Sequence, residues 1–142
     1  MTAKQSNLSE LRTVLDDYIA VSKSGTIEDR SKFYTPQLWE AWKPDESSQY
    51  DGIADIANRT ITASREKIED GKGCLIIEAK NQKSGFHEDY QLDFVRGNNR
   101  WLFADFGLTV YNDSERPAKE YYCEELRKAR EQYEQDIKAM TP

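Results

Sequence analysis

The sequence has few of the residues from which metal sites and catalytic clusters are built. Its 142 residues include two cysteines, Cys74 and Cys123, and one histidine. The cysteines lie too far apart in sequence to form a closely spaced ligand pair, which Cys/His metal sites normally require. With one histidine and no partner arranged around it, a nucleophile–base–orienter set is not indicated. We therefore expect neither a metal nor a cofactor.

Positive charge and long apolar runs are also scarce. The formal net charge is −6 and the chain has no basic run. Nucleic-acid binding depends on Lys and Arg contacts to phosphates, so we do not expect that function. No apolar run approaches the roughly 20 residues that cross a membrane. An acidic chain suits a basic partner, or gains only solubility from its charge.

The N-terminal sequence and the cysteines bear on the compartment. The first residues, Met-Thr-Ala-Lys-Gln-Ser-Asn, lack the apolar segment of a signal peptide. We therefore expect a soluble, cytoplasmic protein. Two reduced cysteines are the simpler interpretation in that compartment, although a single disulfide is left open.

The length argues for a single domain over residues 1–142. Helical spacing of apolar residues predicts a first helix from Leu8, with Asn7 and Glu10 as a capping box. Two further helix starts are predicted at Thr26 and at Thr35-Pro36. We expect strands at residues 60–65 and 74–80, and the second, "CLIIEAK", is apolar on both faces, as in a central strand.

The most regular pattern is "FHEDYQLDFVRGNNRWLFADF", residues 86–106, in which large apolar residues recur at every second position. This is the two-residue period of a half-buried strand. Gly97-Asn98-Asn99 tolerates the positive φ values of a tight hairpin turn. A turn centred on Asn98-Asn99 places Phe94 opposite Phe103. The same register places Asp105 on the apolar face, opposite Leu92.

A long helix is expected over residues 117–139, opened by Pro117. It carries a narrow apolar seam on an otherwise charged surface. The seam consists of Tyr122, Leu126, Ala129, Tyr133, Ile137 and Met140. We expect this helix to lie across its own domain or to pair with another chain, in which case the protein is a homodimer.

The element order, the segment "FYTPQLWEAW" and the late hairpin together resemble the nuclear-transport-factor-2-like (cystatin-like) superfamily. The hairpin pattern that carries the resemblance is formed by Tyr90, Leu92, Phe94, Trp101 and Phe103. The resemblance covers about residues 8–110. It implies an α+β fold, with N-terminal helices packed on a strongly curved, cone-like antiparallel sheet. The C-terminal helix departs from the common pattern.

The resemblance implies two kinds of function. Some members are isomerases or dehydratases with acids inside the cone. In such an enzyme, Asp105 on an apolar face would act as the base and Tyr90 would donate to a developing oxyanion. A small-molecule carrier with the same cavity is a third interpretation.

Other members bind proteins, and small acidic ones include immunity proteins that neutralise bacterial toxins. We expect this non-enzymatic function, with acidic side chains set against basic residues of a cognate toxin or another basic protein. The expected binding residues are Glu88, Asp89, Gln91, Asp93, Glu120 and Glu124.

Overall fold

The computed structural model describes residues 9–42, 52–97, 99–112 and 123–140. Within these residues three helices precede a four-stranded sheet, and one helix follows it, which confirms the α+β class. The elements are α1 (Glu10–Ser24), α2 (Ile27–Ser31), α3 (Pro36–Trp42), a 3-10 helix (Ala54–Asn58), β1 (Thr60–Glu69), β2 (Lys72–Lys80), β3 (His87–Gly97), β4 (Arg100–Tyr111) and α4 (Glu124–Met140). No helix within these ranges is both long enough and apolar enough to span a membrane.

Side-chain caps determine where the first three helices begin. Ser9 caps α1, because its hydroxyl accepts a hydrogen bond from the backbone of the first turn. The predicted cap, Asn7, lies outside the described residues. Thr26 and Asp29 form a complete capping box at α2, and Thr35 accepts a bond from the backbone of α3, as the sequence predicts.

The four strands pair in sequence order, β1-β2-β3-β4, and every pairing is antiparallel. The sheet is therefore open, with β1 and β4 as its edge strands. β1 runs to Glu69, beyond the predicted end at residue 65. β2 lies inside the sheet and is buried on both faces, from Cys74 to Ile77, as its unbroken apolar run predicts.

The hairpin of β3 and β4 has the predicted register next to its turn. Phe94 lies opposite Phe103, and their ring centroids are 5.1 Å apart. Beyond this pair the register shifts by one residue, because Ala104 is an extra residue in β4. Such a β-bulge reverses the alternation of every later side chain in the strand.

The two faces of the sheet have different covers. We call the face that carries Leu75, Leu92 and Phe94 the inner face, and the face that carries Cys74 and Asp93 the outer face. The inner face packs against the N-terminal helices and holds the larger of the two hydrophobic clusters in the described residues.

Aromatic rings join the helices to the inner face. Tyr18 of α1 and Tyr34 share a hydrogen bond of 2.7 Å between their buried hydroxyls. Both rings pack edge-on against Phe103, with centroids 5.2 and 5.4 Å away. The backbone beside Tyr34 also pairs with Phe103, since Thr35 N donates to the Phe103 carbonyl at 2.9 Å. Phe103 therefore joins the sheet to α1 and to the segment between α2 and α3.

Two carboxylates fix the start of α1 on the sheet. Glu66 of β1 accepts a hydrogen bond from Leu11 N at 3.0 Å and another from the Ser9 hydroxyl. Glu10 accepts a bond of 2.7 Å from the indole nitrogen of Trp101. A negative charge near a helix N-terminus is favourable because the first backbone N–H groups lack partners within the helix. These bonds set the position of α1 across β1 and β4.

We predict that Phe103→Ala lowers the free energy of unfolding by about 3–5 kcal/mol, since it opens a cavity where several rings meet. Phe86→Ala is the matched control because Phe86 is 43% exposed, and it should change stability by less than about 1 kcal/mol. Urea unfolding followed by tryptophan fluorescence measures both. Equal effects of the two substitutions would contradict this description of the core.

Candidate functional site: the outer sheet face and the C-terminal helix

The bulge at Ala104 corrects the predicted position of Asp105. Asp105 lies opposite Asp93 on the outer face, and Phe106 takes the inner position opposite Leu92. The expectation that Asp105 lies on the apolar face opposite Leu92 is therefore wrong. Phe106 packs against the inner core instead, with its ring 6.0 Å from that of Tyr90.

Two arginines of α4 hold two carboxylates of the outer face, Asp93 and Asp105. Arg127 donates to Asp93 Oδ1 from Nε at 2.9 Å and from Nη2 at 2.7 Å. Arg130 Nε donates to Asp105 Oδ2 at 3.2 Å. The Asp93 side chain is only 8% exposed, and that of Asp105 is 16% exposed. Since carboxylates facing each other across strands repel, the guanidinium groups supply the necessary counter-charge.

A disulfide and a small apolar cluster complete the attachment of α4. Cys123, just before the helix, is bonded to Cys74 of β2 across a sequence separation of 49 residues. The expectation of two reduced cysteines is therefore wrong, because the fold brings these distant residues together. Leu126 packs on this bridge and on Ile76. It also lies so close to Gly107 that a Cβ there would be 2.7 Å from its Cδ2.

The arginines also border a cleft of about 320 Å³ between α4 and the outer face. Its lining includes Asp93, Asp105, Val95 and both arginines. Burial raises the pKa of Asp93, and its bonds to Arg127 offset this shift only in part. Each carboxylate already accepts hydrogen bonds from a guanidinium group. The arrangement thus positions a helix, and both carboxylates are held by its guanidinium groups.

Glu88 does not lie on the exposed acidic surface that was predicted to bind a partner. It belongs to the inner face and is 7% exposed. It accepts hydrogen bonds from Arg59 Nε at 2.6 Å, the Tyr90 hydroxyl at 2.6 Å and Asn81 Nδ2 at 3.2 Å. The expectation that Glu88 contributes to an exposed acidic surface is therefore wrong. Its position six residues before Phe94 already placed it on the inner side of the strand.

The same cluster determines the ionisation of its members. Burial acts to raise the pKa of Glu88, but the bonds from Tyr90, Arg59 and Asn81 outweigh burial, so the pKa is lowered. Burial raises the pKa of Tyr90, and its bond to the Glu88 carboxylate raises it further. Tyr90 therefore stays protonated near neutral pH and donates to Glu88. It lies on the opposite face of the sheet from Asp105, so the two proposed catalytic groups are not brought together.

The other predicted binding residues divide into three groups. Gln91 accepts a bond of 3.2 Å from Cys123 N, and Asp89 accepts one of 3.2 Å from the Tyr111 hydroxyl. Together with Asp93, they belong to the outer face that receives the start of α4. Glu124 is exposed on α4 itself, and Glu120 lies outside the described residues. Arg127 and Arg130 were not among the predicted site residues, although their spacing of three places them side by side on a helix.

The second half of α4 is exposed, unlike the first turns of the helix, which contact the outer face. Every residue from 131 to 140 is exposed. Tyr133 is 58%, Ile137 45% and Met140 77% exposed. At 100° per residue these three side chains and Leu126 fall within an arc of about 60°. One apolar stripe therefore begins on the sheet and continues along the exposed part of the helix.

Neither a metal-binding cluster nor a similarity to known proteins assigns a function to this site. Within the described ranges, no three His, Cys, Asp or Glu side chains are grouped so that they could hold a metal ion. No protein-family model, curated protein or solved structure matches the chain. The geometry of the outer face and of α4 is therefore the basis for the functional argument.

We predict that Glu88→Gln destabilises the protein at pH 7 by about 1–3 kcal/mol, because it weakens a buried charge-assisted network. The pKa of Glu88 is lower in the folded protein than in the unfolded chain, where a glutamate has a pKa of about 4.3. The ionised carboxylate therefore stabilises the fold above this pH, and the stabilisation is lost as the pH falls through the pKa of the folded state. The difference in the free energy of unfolding between wild type and Glu88→Gln should therefore decrease between pH 5 and pH 3. Urea unfolding across this range measures it.

The control for the pH series is Glu124→Gln, which makes the same chemical change on an exposed side chain. This substitution should change the free energy of unfolding only slightly at every pH. A gap between wild type and Glu88→Gln that stays constant down to pH 3 would contradict the lowered pKa of Glu88.

We predict strong coupling between Arg127 and Asp93. Arg127→Met leaves a buried carboxylate without its counter-charge and should cost about 1–3 kcal/mol. Adding Asp93→Asn should recover more than half of this loss, giving a coupling energy of about 1–2 kcal/mol in a double-mutant cycle. Unfolding in urea supplies the four free energies. Additive effects of the two substitutions would show that the pair does not hold α4 on the sheet.

Proposed function

We propose that this chain is a non-enzymatic protein-binding domain that neutralises a toxic partner protein by direct binding. The observation that supports this proposal most strongly is the exposed apolar stripe on the second half of α4. A tyrosine, an isoleucine and a methionine lie in line there, and each is at least 45% exposed. An amphipathic helix that lays such a stripe into a groove of another protein is a common mode of recognition.

The residue types of the stripe suit an interface. Tyrosine and methionine are enriched at the centres of protein–protein interfaces, whereas Lys and Glu are depleted there. The first turns of α4 are fixed by the disulfide and the two arginine–carboxylate pairs. The exposed turns are therefore presented from an anchored base, which lowers the entropy that binding has to overcome.

The charges beside the stripe favour a basic partner. Glu134 and Asp136 flank it, one on each side, about 60° and about 40° from its edges at 100° per residue. Glu131 and Glu134 are exposed, and the whole chain has a formal net charge of −6. A partner with an apolar groove and a basic rim would complement this surface and would associate faster at low salt.

The assignment of a toxin as the partner extends the sequence resemblance to immunity proteins. An inhibitor of this kind acts by covering a cleft that its target needs, and requires no chemistry of its own. The enzymatic alternative depended on Asp105 inside an apolar cavity near Tyr90. Because the bulge puts these residues on opposite faces, no specific observation favours that alternative.

We predict that Tyr133→Glu weakens binding of the partner by about thirtyfold, the loss typical of a tyrosine at the centre of an interface. The partner is first captured from native lysate by the tagged wild-type chain, identified and purified. Titration with each variant then gives the dissociation constants. Gln135→Glu is the matched control, since it adds the same charge on the side of α4 away from the stripe, and it should change the affinity less than about threefold.

Growth of cells tests whether the captured protein is a toxin. Expressed alone, it should arrest growth; co-expressed with the wild-type chain or with Gln135→Glu, it should not. Tyr133→Glu should fail to protect. Protection by Tyr133→Glu, or a captured protein that has no effect on growth, would contradict the proposal.

A further inference from the structure

We propose that Cys74–Cys123 is a reversible thiol-exchange site, and that its reduction releases α4 from the sheet. Nothing in the proposed binding function requires this. It follows from where the bridge lies, how little else holds the helix, and how a reductant would reach the sulfur atoms.

The bridge is separate from the main hydrophobic core. The larger cluster lies between the inner face and the N-terminal helices and contains neither cysteine. Cys74 and Cys123 belong to a second, smaller cluster with Ile76, on the outer face, against which Leu126 packs. Opening the bridge therefore leaves intact the contacts that hold α1 on the sheet.

The attachment of α4, in contrast, depends on the bridge. Within the described part of the chain, and beyond Cys123, the side chains that bond or pack α4 against the sheet lie in its first two turns: Leu126, Arg127 and Arg130. Both arginine side chains are more than a quarter exposed, so water screens part of each ion pair. All residues from 131 to 140 are exposed. A 17-residue helix without tertiary contacts is marginally stable in water.

A cavity gives a route to the bridge. It has a volume of about 280 Å³, and Cys74 is among its lining residues, together with three cationic and three acidic side chains: Lys67, Lys72, Arg127, Glu69, Asp70 and Glu124. Cys74 is 1% and Cys123 0% exposed, so exchange also requires a small local opening at the start of α4.

The reaction is a two-electron exchange with a dithiol reductant. One thiolate of the reductant attacks a sulfur of the bridge, which breaks the S–S bond and forms a mixed disulfide. The second thiol of the reductant then displaces the protein sulfur. The products are the oxidised reductant and the thiols of Cys74 and Cys123, which take up the two protons that the dithiol gives up.

Release of α4 would uncover the middle of the outer face. Ile76 and Asp93, which are 8% and 6% exposed beneath the helix, would then reach solvent. Disulfides persist in oxidising compartments, whereas in the cytosol they are usually transient and redox-sensing. The redox state of the surroundings would thus determine whether the chain presents an anchored α4 or an open acidic face.

The test is hydrogen–deuterium exchange of the full chain, with the bridge intact and after reduction by dithiothreitol. We expect exchange in residues 124–140 to accelerate at least about tenfold on reduction, while the β2 and β3 amides of Leu75 and Leu92 change by less than about twofold. Reoxidation should restore the slow exchange. The double variant Cys74→Ser, Cys123→Ser should exchange fast in α4 and should not respond to the reductant.

Three results would overturn the proposal. Slow exchange in α4 of the reduced wild type would show that the ion pairs and Leu126 hold the helix without the bridge. Accelerated exchange in β2 and β3 would show that the bridge supports the whole fold. Two free thiols in the air-oxidised protein, counted by thiol titration, would show that the bridge does not form. Reduced wild type decides the matter even where the double variant fails to fold.

Discussion

One extra residue in β4, between Phe103 and Asp105, determines what each face of the sheet carries. Without Ala104 as a bulge, Asp105 would point among the inner-face side chains and Phe106 would point outwards. With it, Phe106 packs in the core and Asp105 lies beside Asp93. The bulge interrupts the regular pairing of β3 and β4, but it keeps Asp105 out of the inner core and places it beside Asp93 on the outer face. The position of α4 depends on this bulge, because Arg127 and Arg130 bind Asp93 and Asp105 on the same face of the sheet.

The outer face shows how two acids can be held close together when opposite charge is supplied. Two carboxylates across neighbouring strands repel, and burial of one of them raises its pKa. The arginines of α4 supply opposite charge at hydrogen-bond distance, and the disulfide keeps them there. The acids, the helix and the bridge are therefore mutually dependent. The polar side of the hairpin, which the sequence suggests for a partner, is largely used by the chain itself, and the exposed end of α4 is the surface that we propose for binding.

The sequence was informative where local chemistry decides the structure. Asn98-Asn99 and the alternation of apolar residues predict the register of Phe94 and Phe103, and threonine caps predict two helix starts. Alternation fails at Ala104 because neither glycine nor proline marks the bulge. The disulfide could not be predicted from two cysteines 49 residues apart, since only the tertiary fold determines whether they meet. Glu88 was misplaced although the two-residue period assigned it to the inner face, because an acid was assumed to be exposed.

The central claim is that the bulge turns Asp105 outwards and Phe106 inwards, and NMR of the isotopically labelled chain tests it most directly. We expect nuclear Overhauser effects between the Leu92 methyl groups and the ring protons of Phe106, and between the side chains of Asp105 and Arg130. Effects from the Leu92 methyl groups to the β protons of Asp105, with none to Phe106, would contradict it. The outer acidic face, the docking of α4 and the arguments that rest on them would then have no structural basis.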